Sequence, residues 1–171
     1  MKIAIWILLV QASLGAFDTL YYHEYKLKLP HGDHTQIELK LHAVRDFCYA
    51  IIIASLGFVT WNGLWTYLLM GILASEIVIT LWDFVEEDKV RKLPPGERCM
   101  HALMGIVYGA FLAYLVPEML KWSALATGFG PSYHGFPAWM LSLIALGVFV
   151  SGVRDMTASV RRPTAARSPE N

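Results

Sequence analysis

The sequence predicts an all-α fold, a polytopic membrane helical bundle of five transmembrane helices with the first four arranged as two repeated hairpins. Three observations carry this. Of 171 residues, 56% are hydrophobic and only 16% charged, with mean hydropathy +0.44, whereas soluble domains carry about 25% charged residues. Apolar runs lie near 3–17, 47–61, 64–82, 102–120 and 136–153. With their flanks they reach the length needed to cross a hydrocarbon layer about 30 Å thick. Lastly, twelve of the fourteen Lys and Arg fall on one side of the resulting topology: Lys26, Lys28, Lys40, Arg45, Lys89, Arg91, Lys92, Arg98, Arg154, Arg161, Arg162 and Arg167. Only Lys2 and Lys121 fall on the other side. The positive-inside rule then places the N-terminus outside and the C-terminus in the cytoplasm, with the cytoplasmic membrane of a bacterium as the expected location.

The elements follow in order. Span 1 is expected over 3–26 and closes on the turn KLKLPHGDH. Lys2 ahead of an apolar stretch ending in Ser13-Leu14-Gly15-Ala16 also has the form of a cleavable leader. That alternative is set aside because the residues after it take part in an internal repeat. Span 2 is expected over 36–62, ending on the turn signal Trp61-Asn62-Gly63. Span 3 covers 65–88, followed by VRKLPPG, and span 4 covers 96–122. The loop TGFGPSYHGFP leads into span 5, over 138–159. The polar remainder, 161–171, is expected to be a disordered tail. Trp61, Trp65, Trp122 and Trp139 fall near the outer ends, where interfacial anchors belong, and Tyr21 and Tyr22 fit an aromatic belt.

The repeat is the informative feature. Asp18 is followed by Leu29-Pro30, Glu38, His42 and Tyr49; Asp83 is followed by Leu93-Pro94, Glu97, His101 and Tyr108. In both halves His stands four residues after Glu and Tyr seven after His. Seven residues before each aspartate is another polar group, Gln11 in one half and Glu76 in the other. Antiparallel spans joined by turns bring Asp18 and Asp83, at the ends of spans 1 and 3, level with Glu38, His42, Glu97 and His101 at the beginnings of spans 2 and 4. Residues four apart share a helix face, so each Glu–His pair can address one point. Glu76 and His23 are further candidates for that point. A carboxylate inside a span costs about 3 kcal/mol on insertion scales, so several together require compensation.

Four carboxylates and two imidazoles match the ligand set of a dinuclear carboxylate site. Asp18, Glu38, His42, Asp83, Glu97 and His101 resemble the pattern of ferritin-like di-iron carboxylate proteins, one acid followed by a Glu–His pair, twice. Here the Glu–His spacing is four where that family has three. The resemblance implies two iron ions, with manganese compatible with the same donors. The whole chain, with FDTLYYHE, LHAVRD, ITLWDFVEED and ERCMHA, also resembles an uncharacterised group of small bacterial integral membrane proteins. That group brings no activity with it.

Around the six ligands, Arg45 with Asp46 and Arg154 with Asp155 are expected to pair, because an unpaired charge in a span is costly. Tyr49 and Tyr108 are expected to stand behind the histidines, with packing as the plain alternative. For all six, a hydrogen-bonded network capping helix ends is the competing account; acids at the starts of spans 2 and 4 suit the helix dipole in any case. His31 and His34 read as solvated loop residues, as does His134. Glu24, Glu86, Glu87 and Asp88 read as a solvated acidic face. Cys48 and Cys99 form no disulfide or zinc pattern. The chain lacks a Gly-rich phosphate loop, a nucleophile elbow, a basic–aromatic stretch for nucleic acid and the histidine boxes of membrane desaturases.

The functional expectation is a non-haem di-iron oxidase or oxygenase acting on a lipid-like substrate such as an acyl chain, quinone or isoprenoid. Electrons would come from a separate donor. The alternatives are a carrier of metal ions or protons, or an accessory subunit with a structural polar cluster.

Overall fold

The computed structural model describes residues 1–26, 36–90 and 92–161, with His23, Glu24, Gln36, Glu38, Glu87, Val90 and Arg161 described in backbone only. The expected tail, His31 and His34 lie outside the described residues, as do the side chains of Glu38 and His23.

Five helices form where the apolar runs predict them. Helix α1 covers Lys2–Phe17 and continues as a π-helical stretch over Asp18–Lys26; α2 covers Gln36–Leu56, α3 Leu64–Val90, α4 Pro95–Ser123 and α5 Phe136–Arg161. Helix α4 starts with proline in its first turn and Glu97 just behind it, where the missing N–H costs nothing and the carboxylate meets the positive end of the dipole. Four segments are long and apolar enough to cross a membrane: Lys2–Tyr22, Leu64–Glu86, Pro95–Ser123 and Phe136–Val160. Helix α2 falls outside this group because Glu38, Lys40, Arg45 and Asp46 crowd its first half.

Two short strands close one end of the bundle, the first where the sequence predicts the end of span 2 and the second where it predicts a loop. Strand β1 (Val59–Asn62) pairs antiparallel with β2 (Gly128–Pro131), with Val59 opposite Pro131 and Trp61 opposite Phe129. The α2–α3 and α4–α5 connections are therefore hydrogen-bonded to each other. Two expected anchors are corrected here. Trp61 and Trp122 are buried, and the Trp61 indole Nε1 donates to Ser55 Oγ at 3.1 Å; Trp65 and Trp139 remain exposed. Tyr22, placed in the belt from sequence, is also buried, its ring against Gly96 at the start of α4.

The apolar core fills the half of the bundle nearest this clasp. Ile5 and Leu8 from α1, Ile52 and Leu56 from α2, Leu69 from α3, Phe111, Leu115 and Met119 from α4 and Leu141 from α5 are essentially inaccessible. Met1 lies against Glu118 near the end of α4, at this same end. The charged residues of α1–α4 gather toward the opposite end. Helix α2 runs the whole way between the two ends, and its 21 residues span about 31 Å at 1.5 Å each.

Candidate functional site

At the end away from the clasp, two Asp–His pairs form between helices. His42 Nε2 of α2 lies 3.0 Å from Asp83 Oδ2 of α3, and His101 Nε2 of α4 lies 3.5 Å from Asp18 Oδ2 at the start of the π-helical stretch. The partnership is reciprocal: the histidine after the first aspartate meets the second, and the histidine after the second meets the first. Both aspartates and His42 are buried. The His101 imidazole is stacked on Phe84, with centroids 5.0 Å apart and planes 16° apart, which fixes its ring plane.

The expectation for Arg45 is corrected. It was to pair with Asp46, its neighbour in sequence, but its Nη1 donates to Asp83 Oδ2 at 2.7 Å. The long side chain reaches across to α3, where Asp83 is only 1% exposed and its charge most in need of a partner. Arg154 does bond to Asp155 as expected, Nε to Oδ1 at 2.9 Å, with α5 holding both behind α2. A small polar recess between the π-helical stretch, α2 and α5 is lined by Thr19, His42, Arg45, Asp46, Ser151, Arg154 and Asp155.

A second polar tier lies deeper. Gln11 and Glu76 are both buried, Glu76 at 1% exposure. Glu76 Oε1 accepts a hydrogen bond from Thr80 Oγ1 at 2.8 Å. The phenols of Tyr49 and Tyr108 face Glu76, Tyr49 also faces Gln11, and the two rings pack edge to face at 6.1 Å. Each of the four helices thus supplies one residue to each tier at a spacing of seven: Gln11 and Asp18, His42 and Tyr49, Glu76 and Asp83, His101 and Tyr108. Buried polar atoms that make no hydrogen bond among the described residues include Gln11 Oε1, Glu76 Oε2, Asp83 Oδ1 and the Tyr108 hydroxyl.

One cavity of about 330 Å³ joins the tiers. Its polar lining includes Gln11, Asp18, Arg45, Tyr49, Glu76 and His101, and much of the rest is apolar. Glu97, fully buried at the start of α4, is not part of that lining. His23 and Glu38 contribute no side-chain geometry, since theirs lie outside the described residues. Among the described residues, no group of three or more His, Cys, Asp or Glu side chains is gathered so as to hold a metal ion. The six expected ligands therefore appear as two separate pairs, with Glu97 apart from the cavity and Glu38 undescribed.

His134, in the α4–α5 connection, shares a hydrogen bond with Ser132 Oγ at 2.8 Å. Its imidazole is held below its ordinary pKa, first by partial burial and then by the nearby Met1 amino group and Lys2. Comparison with protein-family profiles, curated proteins and solved structures finds no match to this chain.

Proposed function

We propose that this chain is a membrane-embedded, metal-dependent oxidoreductase acting on a lipid-like substrate, with a dinuclear iron site as the leading form and manganese as the other ion its donors suit. The observation that carries the proposal is the reciprocal set of Asp–His contacts, His42 with Asp83 at 3.0 Å and His101 with Asp18 at 3.5 Å, each bringing a carboxylate and an imidazole from different helices together at one end of the bundle. Buried carboxylates are stable only when paired, protonated or bound to cations. Carboxylate oxygen beside imidazole nitrogen, twice over, is the donor set that two divalent cations would draw on.

The donors fit such a group in part. Carboxylate oxygen and imidazole nitrogen suit iron and manganese, and Asp83 Oδ1 is buried with no hydrogen-bond partner among the described residues. The two Asp–His pairs would supply two donors each, with Glu38 and Glu97 as the residues to complete them. Bound there, the metal would supply dioxygen activation. The chain's own residues do the rest. Arg45 keeps Asp83 charged and oriented, Phe84 holds the plane of His101, and the apolar cavity walls keep bulk water from the reacting groups. All five helices are taken to cross the membrane, with helices 1–2 and 3–4 as repeated hairpins and the site near the cytoplasmic face. Reciprocal pairing and the spacing of seven support that symmetry.

Elemental analysis of detergent-purified protein tests the reading. About two metal ions per chain, the stoichiometry of carboxylate-bridged bundles, are expected, and both are to be lost in His42→Ala and His101→Ala. Absence of stoichiometric metal after growth with iron and manganese would overturn the reading. A second reading, proton or ion movement, is favoured by one observation: the deeper tier around Glu76 continues the polar residues toward the middle of the bundle. Proton flux in liposomes that disappears in Glu76→Gln, from protein without metal, would select it.

A further inference from the structure

The cavity has features that a metal site alone does not require. Three glycines line it, Gly15 on α1 and Gly105 and Gly109 on α4. A methyl group built on any of them would meet nothing within 4 Å. They are therefore not there to let helices approach closely, which is the usual reason for glycine in membrane helices. Each also weakens its helix by about 0.5–1 kcal/mol relative to alanine. Their effect is to leave flat backbone walls and open space.

Gly105 and Gly109 are exposed, as are Ile77 and Leu81, two of the residues that α3 contributes to the cavity lining. Helices α3 and α4, although consecutive, touch far less than α1 touches α4 or α2 touches α3. The cavity therefore opens sideways between α3 and α4, through a slot with one apolar wall and one glycine wall. At its inner end stand Glu76 and Gln11, each more than nine-tenths buried, with Glu76 Oε2 and Gln11 Oε1 lacking hydrogen-bond partners among the described residues.

We infer that this cavity binds a membrane-soluble aromatic molecule that carries oxygens on opposite edges of its ring, the hydroquinone class, admitted laterally from the bilayer between α3 and α4. The inference rests on the proposed function and names its substrate class. Seven residues of helix separate the tiers, about 10 Å. That is roughly the reach of such a ring with a hydrogen bond at each end. The one hydroxyl at the deep end would donate to Glu76 Oε2, with the Tyr108 hydroxyl and the Gln11 amide group available to donate to its oxygen; the other edge would face Asp18 and His101. A simple acyl chain would satisfy one tier and leave the other dry, at a cost of about 1–3 kcal/mol for each orphaned polar group. The ring would lie against the glycine wall, and its tail would pass out between Ile77 and Leu81. The volume, about 330 Å³, is at the small end of the range for ligand pockets and suits a ring whose tail stays in lipid.

The test uses full-length protein in liposomes and an azido-hydroquinone bearing a decyl tail, kept reduced under argon, photolysed and mapped by mass spectrometry. Saturable labelling confined to the cavity-lining parts of α1, α3 and α4, competed by unlabelled decyl-hydroquinone, is expected. Gly105→Leu with Gly109→Leu should reduce that labelling about tenfold or more, the change that 1.4 kcal/mol of binding produces, while metal content and melting temperature hold. Glu76→Leu should reduce it similarly. Labelling spread over the lipid-facing surface, or undiminished in the double leucine variant, would overturn the inference. So would displacement by decanol or decanoate as effective as by the hydroquinone. Metal content measured on the same samples separates the two claims. Saturable binding without metal leaves the site standing and ends the oxidoreductase reading; metal without saturable binding does the reverse.

Discussion

Arg45 shows what a single residue does in this bundle. Its guanidinium lies 2.7 Å from the oxygen of Asp83 that His42 Nε2 also approaches, at 3.0 Å. Removing Arg45 leaves a carboxylate buried with half its compensation gone, and breaking a buried ion pair costs about 3–5 kcal/mol. Arg45→Met is therefore expected to lower stability by that order in detergent unfolding. Pairing it with Asp83→Asn should recover more than half, since the double variant buries no unpaired charge; additive losses would show that the two residues act independently. A gentler effect belongs to His134. Because burial holds its imidazole below the ordinary value, the unfolded chain takes up the proton first as pH falls through about 6.5. Protonation therefore favours unfolding, and stability should decline below that pH. The decline in melting temperature between neutral and mildly acid pH should be smaller in His134→Asn; an unchanged slope would assign it to other groups. At this scale the placing of Asp18, His42, Asp83 and His101 at one end of the bundle was legible, because antiparallel helices bring the end of one beside the start of the next; they meet there as two Asp–His pairs where one shared site was expected. Which helix answers which was not, since spacing selects a face and leaves the neighbour opposite it open. Arg45's reach across to α3 was hidden for the same reason.

At the scale of elements, the clasp and the π-helical stretch were invisible in the sequence. Strands β1 and β2 are four residues each, too short for alternation to register, and their pairing joins loops some 70 positions apart, as Val59 opposite Pro131 shows. The clasp depends on Gly63, whose φ is +58°, a left-handed conformation that non-glycine residues adopt at a cost. Its N–H donates to the Trp122 carbonyl at 2.9 Å, and a side chain there would sit 2.5 Å from Thr127 Oγ1 and 2.7 Å from that residue's backbone. Gly63→Ala thus meets both strain and collision. We expect a loss above about 1 kcal/mol, beyond what the usual gain in chain stiffness returns. Gly71, inside α3 with nothing within 4 Å of a built methyl, is the control: alanine there should hold or raise the melting temperature. Equal effects at the two sites would mean that the clasp contributes little. The π-helical stretch at Asp18–Lys26 has no comparable signature, because a wider turn needs no special residue. Its consequence is positional, since the geometry changes at Asp18, the residue facing His101; such local π turns are frequent at functional sites.

For the whole molecule, the number of crossings decides how the site sits in the bilayer. Four segments qualify on length and apolarity alone, and α2 is the exception because its first half holds charges. Two polar residues of that half are not lipid-facing: Arg45 is committed to Asp83 and His42 is 3% exposed, so neighbouring helices carry them. Helix α2 also starts at the end where the Asp–His pairs form and finishes at the clasp, the same distance its neighbours travel. If α3 and α4 cross, α2 can avoid crossing only by breaking its contacts with α3 and α5. Parity makes this measurable. Five crossings put Lys2 and the C-terminus on opposite sides of the membrane; four put them on the same side. In a Cys48→Ser, Cys99→Ser background, Lys2→Cys should react with a membrane-impermeant maleimide on intact cells, while a fluorescent protein fused to the C-terminus should remain in the cytoplasm, as the excess of Lys and Arg at the site end requires. Lys92→Cys should be protected in intact cells and become reactive in inverted vesicles. Lys2→Cys protected on intact cells, with the fusion still cytoplasmic, would reduce the crossings to four and leave α2 at the interface, and the Asp–His pairs would then lie in the headgroup layer, open to water. That outcome would remove burial as a reason for a metal at the Asp–His pairs, because exposed carboxylates need no cation to be stable.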